Sequence, residues 1–181
     1  MVVDVRRWRA AAVMSGVKIR TDNAASVLAG LSRLSKMDVL VGIPEANAVR
    51  EDGEELNNAE IGYLQATGAT VSLGGREVTL PPRPFLDIGI EDSEKETSLH
   101  LKAAAGMALD GDFAGAEREL TGAGQLASDA AKRVISDGDR LIPISDMTKA
   151  RRREQGLPGE KPLYAHGYLL RSITYVVRGK K

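Results

Sequence analysis

Residues 93–137 read SEKETSLHLKAAAGMALDGDFAGAERELTGAGQLASDAAKRVISD, and this stretch decides the fold class. Apolar side chains recur at intervals of three and four: Leu99, Leu101, Ala104, Met107 and Leu109, then Leu120, Leu126, Ala130 and Val134. That period predicts two amphipathic helices, from Ser93 to about Asp110 and from Phe113 to about Asp137, joined at Gly111-Asp112. Upstream the period shortens. Thr70–Leu73 and Arg76–Leu80 alternate around Gly74-Gly75, with Val71, Leu73, Val78 and Leu80 on one face, the form of a β-hairpin. Met37–Ile43 is a compact apolar run stopped by Pro44, read as a buried strand, and Ile173–Val177 is a β-prone closing strand. The expectation is an α+β fold: a small mixed or antiparallel sheet packed against two or more long amphipathic helices, with long loops and a hairpin.

Between these landmarks, Thr21-Asp22-Asn23 can cap a helix over Ala24–Ser35 that buries Val27, Leu28, Leu31 and Leu34. Asn57-Asn58-Ala59-Glu60 can cap a second short helix running to Gln65, with Ile61 and Leu64 inward and Gly68 as terminator. Val17–Arg20 alternates like a strand, and residues 45–56 read as an acidic solvent loop. Leu80-Pro81-Pro82-Arg83-Pro84-Phe85-Leu86 reads as a stiff extended segment, because three prolines in four residues remove donors and restrict φ. Residues 138–162 read as a long basic loop. The organisation expected is a basic N-terminal extension over 1–16 and a single α+β domain over 17–181.

The whole chain narrows the function classes. At 181 residues it suffices for one domain with a proper core. Its 25 Lys+Arg balance 25 Asp+Glu, so no bulk charge drives it to nucleic acid or acidic membranes. Cysteine is absent, which removes disulfides, thiolate nucleophiles and Cys-type zinc sites together, and fits synthesis in a reducing cytoplasm. The apolar run Ala10–Met14 is too short for a secretory signal, and no stretch reaches the ~18 apolar residues of a membrane span.

Candidate chemistry is sparse. His100 has Glu96 one helical turn before it, but no set of three ligands accompanies it. His166 lies near Ser172 without a nucleophile elbow or an orienting acid. Carboxylates cluster at 51–55 and 87–96 on polar segments, where a solvated face is the ordinary reading and docking to a neighbour's basic loop the functional one. Gly74-Gly75 joins two strands, so it is a turn and no phosphate cradle. Lys149-Ala150-Arg151-Arg152-Arg153 holds four of the 25 basic residues in five positions, a patch able to meet DNA phosphates or an acidic neighbour. No catalytic residue, cofactor site or metal site is expected, and the chain reads as a non-enzyme.

Four segments carry a resemblance. Val39-Leu40-Val41-Gly42-Ile43-Pro44 is followed by Asn57-Asn58-Ala59-Glu60-Ile61-Gly62-Tyr63-Leu64-Gln65-Ala66-Thr67-Gly68, then by Leu80-Pro81-Pro82-Arg83-Pro84-Phe85-Leu86, and last by Lys161-Pro162-Leu163-Tyr164-Ala165-His166-Gly167-Tyr168-Leu169-Leu170-Arg171-Ser172-Ile173-Thr174-Tyr175. In that order they resemble the successive blocks of tailed-bacteriophage neck and tail-completion proteins, departing at Ala165-His166 and at Ala66-Thr67. The resemblance implies a virion structural protein, made in the host cytoplasm. Copies would form a ring, a hexamer by resemblance, that joins the tail to the head connector around the DNA channel. Partners would be other copies of the chain, the head connector or adaptor, and a tail terminator or tail tube protein, with non-specific contact to packaged DNA and no membrane. Expected subunit-interface residues are Pro81, Pro82, Arg83, Pro84 and Phe85, with Glu51, Asp52, Glu54 and Glu55; Lys149, Arg151, Arg152 and Arg153 face DNA or a neighbour. A tail terminator or head-completion adaptor is the alternative within the class, and a DNA-binding accessory protein the alternative outside it.

Overall fold

The computed structural model describes residues 24–50, 55–73, 75–157 and 159–179. The expected N-terminal extension and the strand over 17–20 lie outside the described residues. In chain order the elements are α1 (Ala24–Leu34), β1 (Met37–Gly42), α2 (Glu45–Ala48), α3 (Asn58–Thr67), β2 (Ala69–Leu73) and β3 (Arg76–Leu80), followed by α4 (Phe85–Leu109), α5 (Phe113–Asp137), α6 (Asp146–Glu154), α7 (Tyr168–Ser172) and β4 (Thr174–Gly179). The fold is α+β, as the periodicities predict.

The antiparallel hairpin of α4 and α5 is its frame. Each helix has 25 residues, a length of roughly 37 Å. They part at Gly111, whose φ of +86° a side chain would disfavour, and Asp112 then caps α5 by accepting from the Gly115 N–H at 2.8 Å. Small residues make the contact close. The buried face of α5 is mostly Gly, Ala and Ser, and a Cβ built on Gly89 of α4 would lie 2.5 Å from the Ala131 backbone.

Two details of α4 differ from the expected stripe. The helix starts eight residues earlier, at Phe85, because Pro84 with its φ of −77° suits a helix entrance while removing a donor the first turn does not need. Its inward face is Phe85, Gly89, Ser93, Ala104 and Ala108, whereas Leu99, Leu101 and Leu109 point outward. The same inversion occurs in α1. Leu28 and Leu31 are exposed, and Gly30 is the buried residue, set against Ala108.

β1 and β4 pair antiparallel, Leu40 opposite Val176, and lie against α5. This strand pair is half-buried rather than enclosed, with Leu40 and Val176 exposed. The hairpin of β2 and β3 forms a separate sheet in the expected register, Val71 opposite Val78, turning at Gly75 with φ +76°. The core divides along the helical frame. One cluster gathers Phe85, Ala131, Val134, Ile135, Leu141, Leu169 and Ile173; the other gathers Ala104, Ala108, Ala116 and Leu120 against Leu34, Met37 and Val177.

Candidate functional site

Gly62 on α3 is where the four sequence blocks meet. A Cβ there would lie 2.9 Å from Ile43 Cδ1, 3.4 Å from Leu169 Cδ1 and 3.9 Å from Phe85 Cζ. Residues up to 126 positions apart (43 to 169) thus converge on one buried point. α3 is set by a complete capping box: Asn57 Oδ1 accepts from the Ala59 and Glu60 N–H groups at 2.9 Å, and Glu60 Oε2 accepts from the Asn57 N–H at 2.8 Å.

Above this point opens a cleft of about 450 Å³. α3, β3, the Pro-rich segment, the entrance of α6 and the turn before α7 supply its walls. Arg83 lines it and is buried. Its Nε donates to the Ile142 carbonyl at 2.6 Å, Nη2 to the Pro143 carbonyl at 3.2 Å, and Nη1 to Gln65 Oε1 at 2.9 Å. The Arg83 N–H also donates to the Gln65 carbonyl at 2.7 Å. The guanidinium therefore clamps α3 to the segment before α6. Phe85 is fully buried in the core. Neither is exposed on the protomer: their groups are engaged within it. Pro81 and Pro84 are half-buried, and only Pro82 of the five is exposed.

The basic run also differs from expectation. Residues 146–154 are helical, capped by Ser145 through the Thr148 N–H at 3.3 Å, so 138–162 is not one long loop. Lys149 pairs with Asp146 at 3.3 Å and Glu160 at 3.6 Å, and Arg153 with Glu160 at 2.6 Å. The Arg153 hydrogen bond and the Lys149 charge hold the Glu160 carboxyl below its ordinary value of 4.5. Arg151 is exposed. Arg152 turns toward the cleft, and its Nη1 donates to the carbonyls of Lys161 at 2.8 Å, and of Gly159 and Tyr164 at 3.5 Å. Two of those carbonyls flank Leu163, a non-glycine residue at φ +61°. Leu163 lines the cleft, and the Arg152 grip on both sides is what holds so unfavourable a backbone in place.

Burial lowers the pKa of both arginines, and the charge of Arg152 lowers that of Arg83 further. Among the described residues no Asp or Glu lines the cleft, while Arg50 and His166 do. His166 stacks on Tyr168 at 5.4 Å, and Arg171 sits over the same ring at 5.1 Å. Ser172 donates to the Leu169 carbonyl at 2.7 Å, so the structure does not bring it to His166.

Elsewhere, His100 meets Glu119 across the helical hairpin at 2.7 Å in place of its expected neighbour Glu96. Asp92 of the second acidic cluster pairs with Arg140. Glu55 is exposed; Glu51, Asp52 and Glu54 lie outside the described residues. Among the described residues no group of three His, Asp or Glu is placed to hold a metal, and no helix is long and apolar enough to cross a membrane.

The chain matches no protein-family model, no curated protein and no solved structure.

The cleft brings in residues the sequence did not single out: Gln65, the carbonyls of Ile142 and Pro143, and Ser145. Ser145-Asp146 was the available signal, an N-cap followed by an acidic first turn, but Asp146–Glu154 has only Met147 and Ala150 as apolar residues and so no period to read.

Proposed function

We propose that this chain is a structural subunit of a tailed-phage virion, a neck or tail-completion protein whose copies close into a ring joining the tail to the head connector. What supports it most is the meeting of four blocks, read from sequence as one family's ordered motif, around Gly62. A chance likeness of unconnected segments carries no expectation that they share a packing point. The surface adds to this. Leu28, Leu31, Leu99 and Leu101 are exposed, and each two-stranded sheet has unpaired outer edges among the described residues, both features that association satisfies.

On this reading the chain acts without catalysis, is made in the host cytoplasm and resides in the virion, beside the connector and a terminator or tube protein. The DNA-binding alternative is weakened by the ion pairs of Lys149 and Arg153 and the inward turn of Arg152. Light scattering on the purified chain, followed by negative-stain imaging, tests the proposal. A mass that is an integral multiple of 19.4 kDa with rotational symmetry supports it. A chain that stays monomeric at every concentration and does not join isolated tails or connectors overturns it.

A further inference from the structure

We propose that the cleft between Arg83 and Arg152 is a receptor for a single carboxylate side chain, an Asp or Glu presented on an extended segment of a partner protein. The inference rests on the cleft alone and stands whether or not the chain belongs to a phage neck.

Charge complementarity is the first ground. Two guanidinium groups close enough to repel one another line the same concavity, with Arg50 and His166 on its walls and no carboxylate among the described lining residues. Buried or half-buried cations are ordinarily paired with an anion, because desolvation without a partner is costly. Among the described residues Arg83 and Arg152 have only neutral acceptors: backbone carbonyls and the Gln65 amide oxygen.

Donor geometry is the second ground. All the hydrogen bonds of Arg152 to described residues leave from Nη1, so Nε–H and Nη2 have no partner among them. No buried polar side-chain atom among the described residues lacks a partner, so an Arg152 donor that has none is exposed to solvent. Nε–H and Nη2 form the edge of a guanidinium that receives a carboxylate in the two-bond, fork-to-fork manner.

The walls decide between classes of anion. Ile61, Val78, Leu80, Leu163 and Leu169 make much of the lining apolar, which suits the aliphatic stem of an acidic side chain and is wasted on a fully hydrated phosphate. Arg83 is buried, which disfavours contact with the backbone of a DNA duplex. β3, whose Val78–Leu80 line the cleft, pairs only with β2 among the described residues, so its other edge is available to an extended chain.

The test follows the arginine Nε–Hε resonances of the full chain by NMR. The probe is N-acetyl-glutamate methylamide, which carries one side-chain carboxylate, with N-acetyl-glutamine methylamide as its neutral twin. The expected result is a saturable shift of the Arg83 and Arg152 resonances with the glutamate probe and none with the glutamine one. Affinity should fall about tenfold or more in Arg152→Gln, with the remaining spectrum showing the fold intact. Should that variant lose its fold, the wild-type titrations decide. Equal response to both probes, or no response, overturns the proposal. Saturation by inorganic phosphate without saturation by the glutamate probe overturns it in favour of a small-oxyanion site. A short DNA duplex that shifts both resonances where the glutamate probe does not overturns it in favour of nucleic acid.

Discussion

Two glycines of α4, Gly89 and Gly106, should respond to alanine in opposite directions. Both sit inside the helix, where Gly→Ala gains about 0.5–1 kcal/mol from backbone entropy when the new methyl meets nothing. Gly106 has nothing within 4 Å of its would-be Cβ, so Gly106→Ala should stabilise by that amount. At Gly89 the same Cβ lies 2.5 Å from the Cα and N of Ala131 and 2.9 Å from the carbonyl carbon of Ala130. Carbon atoms pack best at about 3.5–4.0 Å, so α4 and α5 would have to part by roughly 1 Å. The obstacle is backbone, so no rotamer change relieves it. Overpacking of this kind costs about 1–3 kcal/mol, here toward the upper end because the whole interface between the helices opens. Set against the propensity gain, the net loss for Gly89→Ala is about 2 kcal/mol. With a urea slope of about 2 kcal/mol/M, the midpoint should fall by about 1 M for Gly89→Ala and rise by a few tenths of a molar for Gly106→Ala. Circular dichroism at 222 nm reads both. Stabilisation by Gly89→Ala equal to that of Gly106→Ala would refute the close helical contact.

Phe85→Ala should cost about 3–5 kcal/mol in the same assay, since Phe85 is fully buried, while Tyr63→Ala, on an exposed residue, should stay within about 0.5 kcal/mol. Asp112→Ala should cost about 1 kcal/mol by removing the acceptor of the Gly115 N–H, and Asp112→Asn should restore most of it. Arg83→Lys should destabilise almost as much as Arg83→Ala, because an ammonium cannot reach Ile142, Pro143 and Gln65 together; thermal melts of the two variants compare them. The folded-state pKa of Glu160 is lowered, so its support for residues 159–164 is present above pH 4.5 and should be lost as pH falls through the lowered value; amide exchange across that segment should show the loss in the wild type and its absence in Glu160→Gln.

Local signals were the legible part of this fold. The capping box at Asn57 and Glu60, the Gly74-Gly75 hairpin and the Gly111-Asp112 break all depend on neighbours within four residues, and all stand where the sequence places them. The facing of α5 was legible, since Leu120, Ala130 and Val134 of its expected stripe are buried, but that of α1 and most of α4 was not. Counting leucines put Leu99, Leu101, Leu28 and Leu31 inside, yet the inner faces are built from Gly30, Gly89, Ser93, Ala104 and Ala108. Where helices approach closely, the small residues mark the contact and the large ones are displaced outward. The site was half legible for a related reason. Arg83 and Arg152 stood out as charges, but an arginine facing inward to bond carbonyls 59 positions away looks, in sequence, the same as one facing solvent.

That displacement bears on why the protomer would associate at all. Each leucine or isoleucine moved from water into an interface contributes about 1.5–3 kcal/mol. Leu28, Leu31, Leu40, Ile90, Leu99 and Leu101 are all at least 42% exposed. A lone pair of copies burying a few of them must also offset an association cost of about 4–15 kcal/mol, so a dimer built on one such patch is marginal. A ring changes the arithmetic, because closure adds one interface without adding a subunit, and the last contact forms between parts already held together. If the copies form the proposed ring, disrupting one patch should raise the concentration at which the whole ring forms rather than yield stable open fragments. On the proposed ring, Leu28→Glu combined with Leu31→Glu, one turn apart on the same face of α1, followed by light scattering across dilution, should therefore move the assembly from closed ring to monomer in one step; a ladder of intermediate oligomers would mean that the exposed leucines serve separate, unclosed contacts.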